Sequence, residues 1–391
     1  MVDDNPSAGE SFRHILSDSA ELFWLDHCEW LKEKGYLLRP RYQPGWVPSW
    51  IGTTKKRWNC EDGKVYNVTV VMDATRISDG TFVMLKYIET KFHPHEIEIG
   101  TWFSQEPQAS DPDNHCVPIL EVLDLPDIAD MRIIVMPMLR NYDKPRFDTF
   151  GEVVQFFSQI LKGLRYMHRN NVAHRDCMSL NVMMDGTPLY PIPYHPVEQN
   201  MKRDFSGRVS HLTRTQRPVK YYITDFGLSR RYPPGVHAPL EPIIVGGDKS
   251  VPEFRKNKDG VLPMKCDPFP TDVYYIGNLI RSDFLQVCTC PAFSVIFPDI
   301  LFKGNRFVKQ KLGFEFMEHL VNDMVQDDPS LRPTMDEVVE RFEEAVRGLS
   351  QWKLRSRVVM VDAEFDFYYA IKHWMRKLML IVRSTPAIPT P

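Results

Sequence analysis

Two short polar stretches in this 391-residue chain carry side chains able to do chemistry. The first, His174-Arg175-Asp176-Cys177-Met178-Ser179-Leu180-Asn181, sets an amide five positions beyond a carboxylate. The second, Asp225-Phe226-Gly227, directly follows the apolar run Tyr221–Thr224. Carboxylate and amide oxygens are hard donors that suit Mg²⁺, an ion that keeps several of its positions for water or phosphate. Asp176 is the candidate general base, and Asn181 and Asp225 are the candidate metal ligands. Taken alone, Asp225-Phe226-Gly227 reads more readily as a simple turn, because Asp and Gly both favour turns. What separates the two readings is whether the flanking elements bring the groups together.

Those elements can be read from periodicity. Val153, Phe157, Ile160, Leu164 and Met167 recur at spacings of four and three, so a long helix from Phe150 buries one face and delivers the chain to His174. Asn181 and Asp225 each border a short apolar strand, and a hairpin of those strands would hold them near each other. Upstream, residues 13–35 read as a helix, with Asp18 and Glu21 as a capping box and Gly35 as the stop. The stretch Arg39–Pro48, with three prolines and Trp46, reads as an extended strap that regular structure cannot accommodate. Val65–Met72 and Thr81–Tyr87 are rich in β-branched and aromatic residues and flank Ser78-Asp79-Gly80, the pattern of a hairpin. Asn114–Leu125 and Met131–Leu139 are further strand candidates. A strand-rich front and a helix-rich back predict an α+β protein of two lobes.

Composition narrows the classes. There are 48 Lys and Arg against 51 Asp and Glu, a formal charge of −3, so no broad electrostatic attraction to nucleic acid is expected. At 43% hydrophobic the chain can bury a large core. The seven cysteines (28, 60, 116, 177, 266, 288 and 290) form no CxxC pair, which argues against a disulfide framework and a zinc ribbon. The acidic, polar start shows no leader pattern, and the run Leu378–Val382 is far short of the roughly 20 residues that span a bilayer. An intracellular protein, cytoplasmic or nuclear, is the expectation.

In their order along the chain, the two polar stretches resemble the protein kinase family. His174-Arg175-Asp176 with Asn181 is similar to the kinase catalytic loop, and Asp225-Phe226-Gly227 to the metal-binding Asp-Phe-Gly element. Downstream, Val251-Pro252-Glu253, Asp272-Val273-Tyr274 with Gly277, and Leu331-Arg332-Pro333-Thr334 resemble further family segments. The resemblance covers roughly residues 60–350. It implies a two-lobed protein-kinase-like fold that binds ATP and Mg²⁺ and transfers the γ-phosphoryl group to Ser/Thr hydroxyls of a protein. Asp176 would be the base, and Asn181 and Asp225 the metal ligands. Lys86, in Val83-Met84-Leu85-Lys86, would orient phosphates with Glu96 as its partner and Glu98 as substitute. Met136 would sit at the gatekeeper position, and Leu139 would meet adenine from the hinge. Glu253 and Arg332 would form a buried ion pair, and Asp272 would hydrogen-bond the catalytic-loop backbone. The implied layout is an N-terminal helix and strap over 1–59, an N-lobe over 60–139, a C-lobe over 140–350 with a surface-loop insertion at 186–217, and a tail over 351–391.

The sequence also departs from that family. Lys64, Tyr66 and Thr69 align with its three phosphate-loop glycines, and bulky residues obstruct close backbone approach to phosphate. Met84 replaces a small alanine, and Met178 replaces a catalytic-loop lysine. The stretch Val245-Gly246-Gly247-Asp248-Lys249 lacks the substrate-loop threonine, and from Leu228 to Lys249 the only hydroxyls are Ser229 and Tyr232. Arg175 is then expected to meet Glu241 in place of a phosphate. Three functions compete: a protein kinase, a pseudokinase that acts as a binding scaffold, and a small-molecule kinase. The cluster His93-Pro94-His95-Glu96 reads as solvated loop histidines. Phe365–Val382 mixes Trp374, Leu378 and Ile381 with Lys372, Arg376 and Lys377 at helical spacing. Such a helix either packs on its own domain or a partner, or lies on a membrane surface.

Overall fold

The computed structural model describes residues 19–66, 70–236, 238–244, 247–255, 265–285, 311–360 and 367–391. The architecture is mixed α+β. Contacts divide the chain into two units, and neither is continuous in sequence: the first takes residues 1–109, 117–140 and 185–212, the second takes 110–116, 141–184 and 213–391.

The first unit is built on an antiparallel sheet of five strands: β1 (Tyr36–Leu38), β2 (Val71–Arg76), β3 (Phe82–Glu89), β4 (Glu121–Asp124) and β5 (Met131–Pro137), in the order β1-β2-β3-β5-β4. Alternation along β3 sends Val83 and Leu85, both fully buried, to one face. There they join Trp24, Cys28 and Leu31 from α1 (Ser19–Asp26) and α2 (Cys28–Glu33) in the core. Gly35, at φ 93, ends this helical entry as the sequence suggests. The opposite face of the sheet carries Met84, Lys86 and Met136, with Met84 paired to Met136, and α3 (Glu96–Phe103) follows β3.

Several expectations are corrected here. One helix over 13–35 becomes two short ones, and residues 13–18, with Asp18, lie outside the described residues. The strap contains a single 3₁₀ turn at Pro40–Tyr42, because Pro at its first position costs no hydrogen bond. The strand expected at Val65–Met72 runs over Val71–Arg76, and its edge partner is Tyr36–Leu38. The N-terminal region is thus part of the sheet. Of Asn114–Leu125 only Glu121–Asp124 is a strand; Pro118 has no N–H to give to a ladder, and Cys116 makes one bridge to Ile223.

The expected surface loop at 186–217 is replaced by a packed segment. His195 is fully buried, and its Nδ1 accepts the N–H groups of Val197 at 3.2 Å and Glu198 at 2.9 Å. Nε2 therefore carries the proton and donates to Glu61 at 3.0 Å. Arg203 reaches Asp73 at 3.3 Å, and the Arg140 guanidinium lies between the rings of Tyr190 and Tyr194, 4.6 Å from each. Arg39 completes the cluster, with Nε on Asp73 at 2.9 Å and Nη1 on Glu61 at 3.2 Å. Burial alone would raise the Glu61 carboxyl, but His195 and Arg39 outweigh it and hold it below its ordinary 4.5. A depressed carboxyl contributes stability above its unfolded value and loses it as pH falls through the folded one. Wild type is therefore expected to lose stability more steeply than Glu61→Gln between about pH 5 and pH 3 in urea titrations.

The second unit begins where the chain leaves the first through β6 (Arg140–Asn141) and enters α4 (Phe150–Arg169). Thr149 caps α4, accepting the Glu152 N–H at 3.3 Å, and Val153, Phe157, Ile160, Leu164 and Met167 are all fully buried, as their spacing predicts. Next come β7 (Val172–Ala173), β8 (Val182–Met184), β9 (Tyr221–Ile223), β10 (Arg230–Arg231), β11 (Glu241–Pro242) and β12 (Lys265–Cys266). β8 pairs with β9, β7 with β10, and β11 with β12, all antiparallel. The helices are α5 (Pro268–Ile280), α6 (Glu318–Met324), α7 (Met335–Arg347), α8 (Gln351–Leu354) and α9 (Phe367–Val382). The capping box Thr334–Glu337 opens α7, which packs on α4.

Cys28, Cys60, Cys116, Cys177 and Cys266 are free thiols, and Cys288 and Cys290 lie outside the described residues. No described helix is long and apolar enough to cross a membrane.

Candidate functional site

The turn that follows β7 is held in an uncommon conformation. Arg175 has φ 71, a left-handed value unfavourable for a side chain of its size. The fully buried Asp272 carboxylate compensates by accepting the N–H groups of His174 at 2.7 Å and Arg175 at 2.6 Å, with His168 Nε2 at 3.2 Å. Charge-assisted bonds of this length over-determine the turn. The His174 ring locks it from the other side: Nδ1 accepts the Asp176 N–H at 3.2 Å, so Nε2 carries the proton and donates to the Thr224 carbonyl at 3.0 Å. Asp272 has the structural role that the sequence suggests.

Asp176 is thereby delivered to Asn181, whose Nδ2 donates to the Asp176 carbonyl at 2.8 Å and to its Oδ2 at 2.9 Å. With the amide nitrogen committed, Oδ1 is the Asn181 atom left to meet a cation. The β8–β9 hairpin supplies the third group: Thr224 N donates to the Asn181 carbonyl at 2.8 Å, and Asp225 follows at φ 67. Its carboxylate accepts the Gly227 N–H at 3.2 Å. Burial raises the Asp176 carboxyl above its ordinary value, the Asp248 and Asn181 hydrogen bonds hold it down, and the Asp225 charge adds to the rise.

Gly247 and Asp248, which sequence reasoning left out of the site, close over Asp176. The Asp248 N–H approaches Asp176 Oδ1 at 3.3 Å. A Cβ on Gly247, whose φ is 64, would stand 2.5 Å from that oxygen. The double glycine before Asp248 was the available signal. Asp248 is itself held by Ser250 N at 2.8 Å and the Tyr275 hydroxyl at 2.8 Å.

Arg175 donates to the Pro242 carbonyl at 2.6 Å and lies 3.7 Å from Glu241, the partner expected for it. Ser229 is fully buried, with its hydroxyl on the His174 carbonyl at 3.1 Å. A kinase acting in trans could not reach it without unfolding this turn. Glu253 and Arg332 form the anticipated buried pair through two bonds of 2.7 and 2.6 Å.

In the first unit, Lys86 Nζ and Glu96 Oε1 are 2.6 Å apart, with Glu96 only 2% exposed. Lys86 lies inside β3, so the alternative of an exposed edge lysine is set aside. Glu98, the substitute, is exposed and lies 3.9 Å from His95. Met136 shares the Lys86 face, and Leu139 is buried.

That face holds a second feature the sequence did not reveal. Asp73 pairs across the sheet with Met84 and so points to the Lys86 side, where Arg39 and Arg203 cover it. The Arg203 guanidinium also lies 4.3 Å above the Phe82 ring. The alignment of Lys64, Tyr66 and Thr69 with a phosphate loop is corrected as well. β1 ends at Leu38 and β2 starts at Val71, so a long excursion replaces a tight glycine hairpin. Within it the Lys64 carbonyl accepts Arg39 Nη1 at 3.0 Å, and Thr69 lies outside the described residues.

No protein-family model matches the chain, and no curated protein matches it in sequence.

Proposed function

We propose that this chain is a protein-kinase-like phosphotransferase that uses ATP and Mg²⁺ to phosphorylate Ser/Thr hydroxyls of a protein. The single observation that carries the proposal is the joining of Asp176, Asn181 and Asp225 through the Asp272-braced turn and the β8–β9 hairpin. Asn181 Oδ1 and the Asp225 carboxylate fit a hard divalent cation. A Mg²⁺ held by these two residues would supply neutralising charge for a transferring phosphate. Asp176 accepts the proton of the incoming hydroxyl, and Asn181 and the Asp248 N–H fix its rotamer. Lys86, oriented by Glu96, provides the cation for the nucleotide phosphates. Leu139 and Met136 border the adenine position in this assignment.

A second reading, a pseudokinase that serves as a binding scaffold, is favoured by one set of observations. Asp73, Arg39 and Arg203 occupy the sheet face beside Met84, and no short glycine hairpin joins β1 to β2. Thermal-shift titration with ATP plus Mg²⁺ separates the two. A kinase is expected to be stabilised by about 2.7 kcal/mol at a ligand concentration 100 times its Kd, with the metal-dependent part lost in Asp225→Asn. No metal-dependent stabilisation of wild type would reject the kinase and leave the scaffold.

A further inference from the structure

α9 reverses the polarity its sequence suggests. Trp374, Leu378 and Ile381 are 49%, 57% and 41% exposed, whereas His373 and Lys377 are 6% and 4% exposed. The basic side of the helix thus faces the body of the second unit. A membrane-facing basic stripe of Arg376 and Lys377 is not formed, and the Lys372 side chain lies outside the described residues.

Arg355, His373, Arg376 and Lys377 line a recess of about 260 Å³, part of it open to solvent, together with Asp148, Thr149 and Thr215. Asp148 is the one carboxylate lining it. Arg376 Nη2 reaches Asp148 at 3.2 Å, while His373 Nδ1, at 3.6 Å, falls outside hydrogen-bonding range. Glu152 stands nearby, but its oxygens accept the Thr215 N–H and hydroxyl and the Asp148 N–H. Lys377 Nζ sits 3.5 Å from the Trp352 ring, and Arg355 Nη2 donates to the Thr385 carbonyl.

Three nitrogens here are buried without any hydrogen-bond partner among the described residues: Arg355 Nη1, His373 Nδ1 and Arg376 Nε. Leaving such groups unsatisfied is costly, more so when they are charged. Burial and then the neighbouring Arg355 lower the Lys377 ammonium from its ordinary value. The recess also lies at the capped first turn of α4, whose dipole presents partial positive charge.

We propose that this recess is a binding site for a phosphate dianion. Three basic side chains against one carboxylate leave a surplus that a dianion balances, and its oxygens would accept from the three orphaned nitrogens. Free inorganic phosphate and a lipid phosphomonoester share this chemistry.

Equilibrium dialysis of the full chain against radiolabelled inorganic phosphate, at constant ionic strength, tests the site. Saturable binding of one phosphate per chain is expected, weakened tenfold or more in Arg355→Gln, Arg376→Gln and Lys377→Met, and unchanged in Asp225→Asn. Circular dichroism identifies any variant that fails to fold, and the remaining ones decide. Flotation with phosphatidic acid vesicles distinguishes the sources: capture that free phosphate competes away assigns the lipid, and no capture assigns the free ion. Absence of saturable binding in wild type, retention in all folded recess variants, or loss in Asp225→Asn would overturn the proposal.

Discussion

Replacing Asp176 with asparagine is expected to lower phosphoryl transfer by roughly 10²- to 10⁴-fold, the usual contribution of a positioned base, while leaving nucleotide and metal binding in place. The change keeps the shape of the side chain, and its oxygen can still accept the Asp248 N–H now 3.3 Å from the carboxylate. What is lost is a base for the hydroxyl proton, together with the Oδ2 acceptor of the Asn181 amide 2.9 Å away. Turnover of radiolabelled ATP on a generic protein substrate, beside a thermal-shift titration of the same variant, measures both halves. A variant as active as wild type would remove Asp176 from the chemistry.

The largest stability effect is expected at the Glu253–Arg332 pair. Arg332 is 8% exposed; it holds both Glu253 oxygens and also donates to Gln326 and Pro270 carbonyls at 2.8 and 2.9 Å. Its guanidinium stacks 5.0 Å from the Tyr274 ring centroid. Arg332→Ala leaves a buried carboxylate with only Thr271, among the described residues, as a side-chain hydrogen-bond donor, at 3.1 Å. Removing one partner of such a pair costs about 3–5 kcal/mol, whereas exchanging both for apolar groups of like volume is often nearly neutral. Urea melts should therefore place Arg332→Ala well below wild type and the double change Glu253→Leu with Arg332→Met close to it. Equal loss in single and double variants would show that the ring contact and carbonyl bonds, not the ion pair, hold this corner.

What could be read from sequence was local. The 174–181 turn, the Asp225 element, the α4 face and the α7 capping box each depend on residues a few positions apart, and each appears where its spacing puts it. Lys86 and Glu96 were within reach through the family resemblance of the strand that carries Lys86. Pairings distant in sequence were not, except where the family resemblance supplied them, as for Glu253 with Arg332 and Asp272 with the backbone of His174. Tyr36–Leu38 is too short to advertise a strand, and its partner Ala74–Arg76 lies beyond the whole strap. Arg203, Asp73, Glu61 and His195 are ordinary polar residues one at a time; only their assembly turns a polar stretch into buried structure. α9 misled differently: its apolar stripe is what usually faces inward, yet here the cations do.

The discontinuity of the first unit has a consequence for biosynthesis. The Arg39 guanidinium and the Asp73 carboxylate are made early, but Arg203 and His195 leave the ribosome only after α4 and the Asp176 turn have been translated. A nascent chain stopped short of that point exposes a half-finished charge cluster and a sheet lacking its cover. The first unit is therefore expected to complete its folding only after residue 212 has been made. A fragment cut at β6 would be an incomplete body, and limited proteolysis between Asp185 and Leu212 should release no independently stable front half.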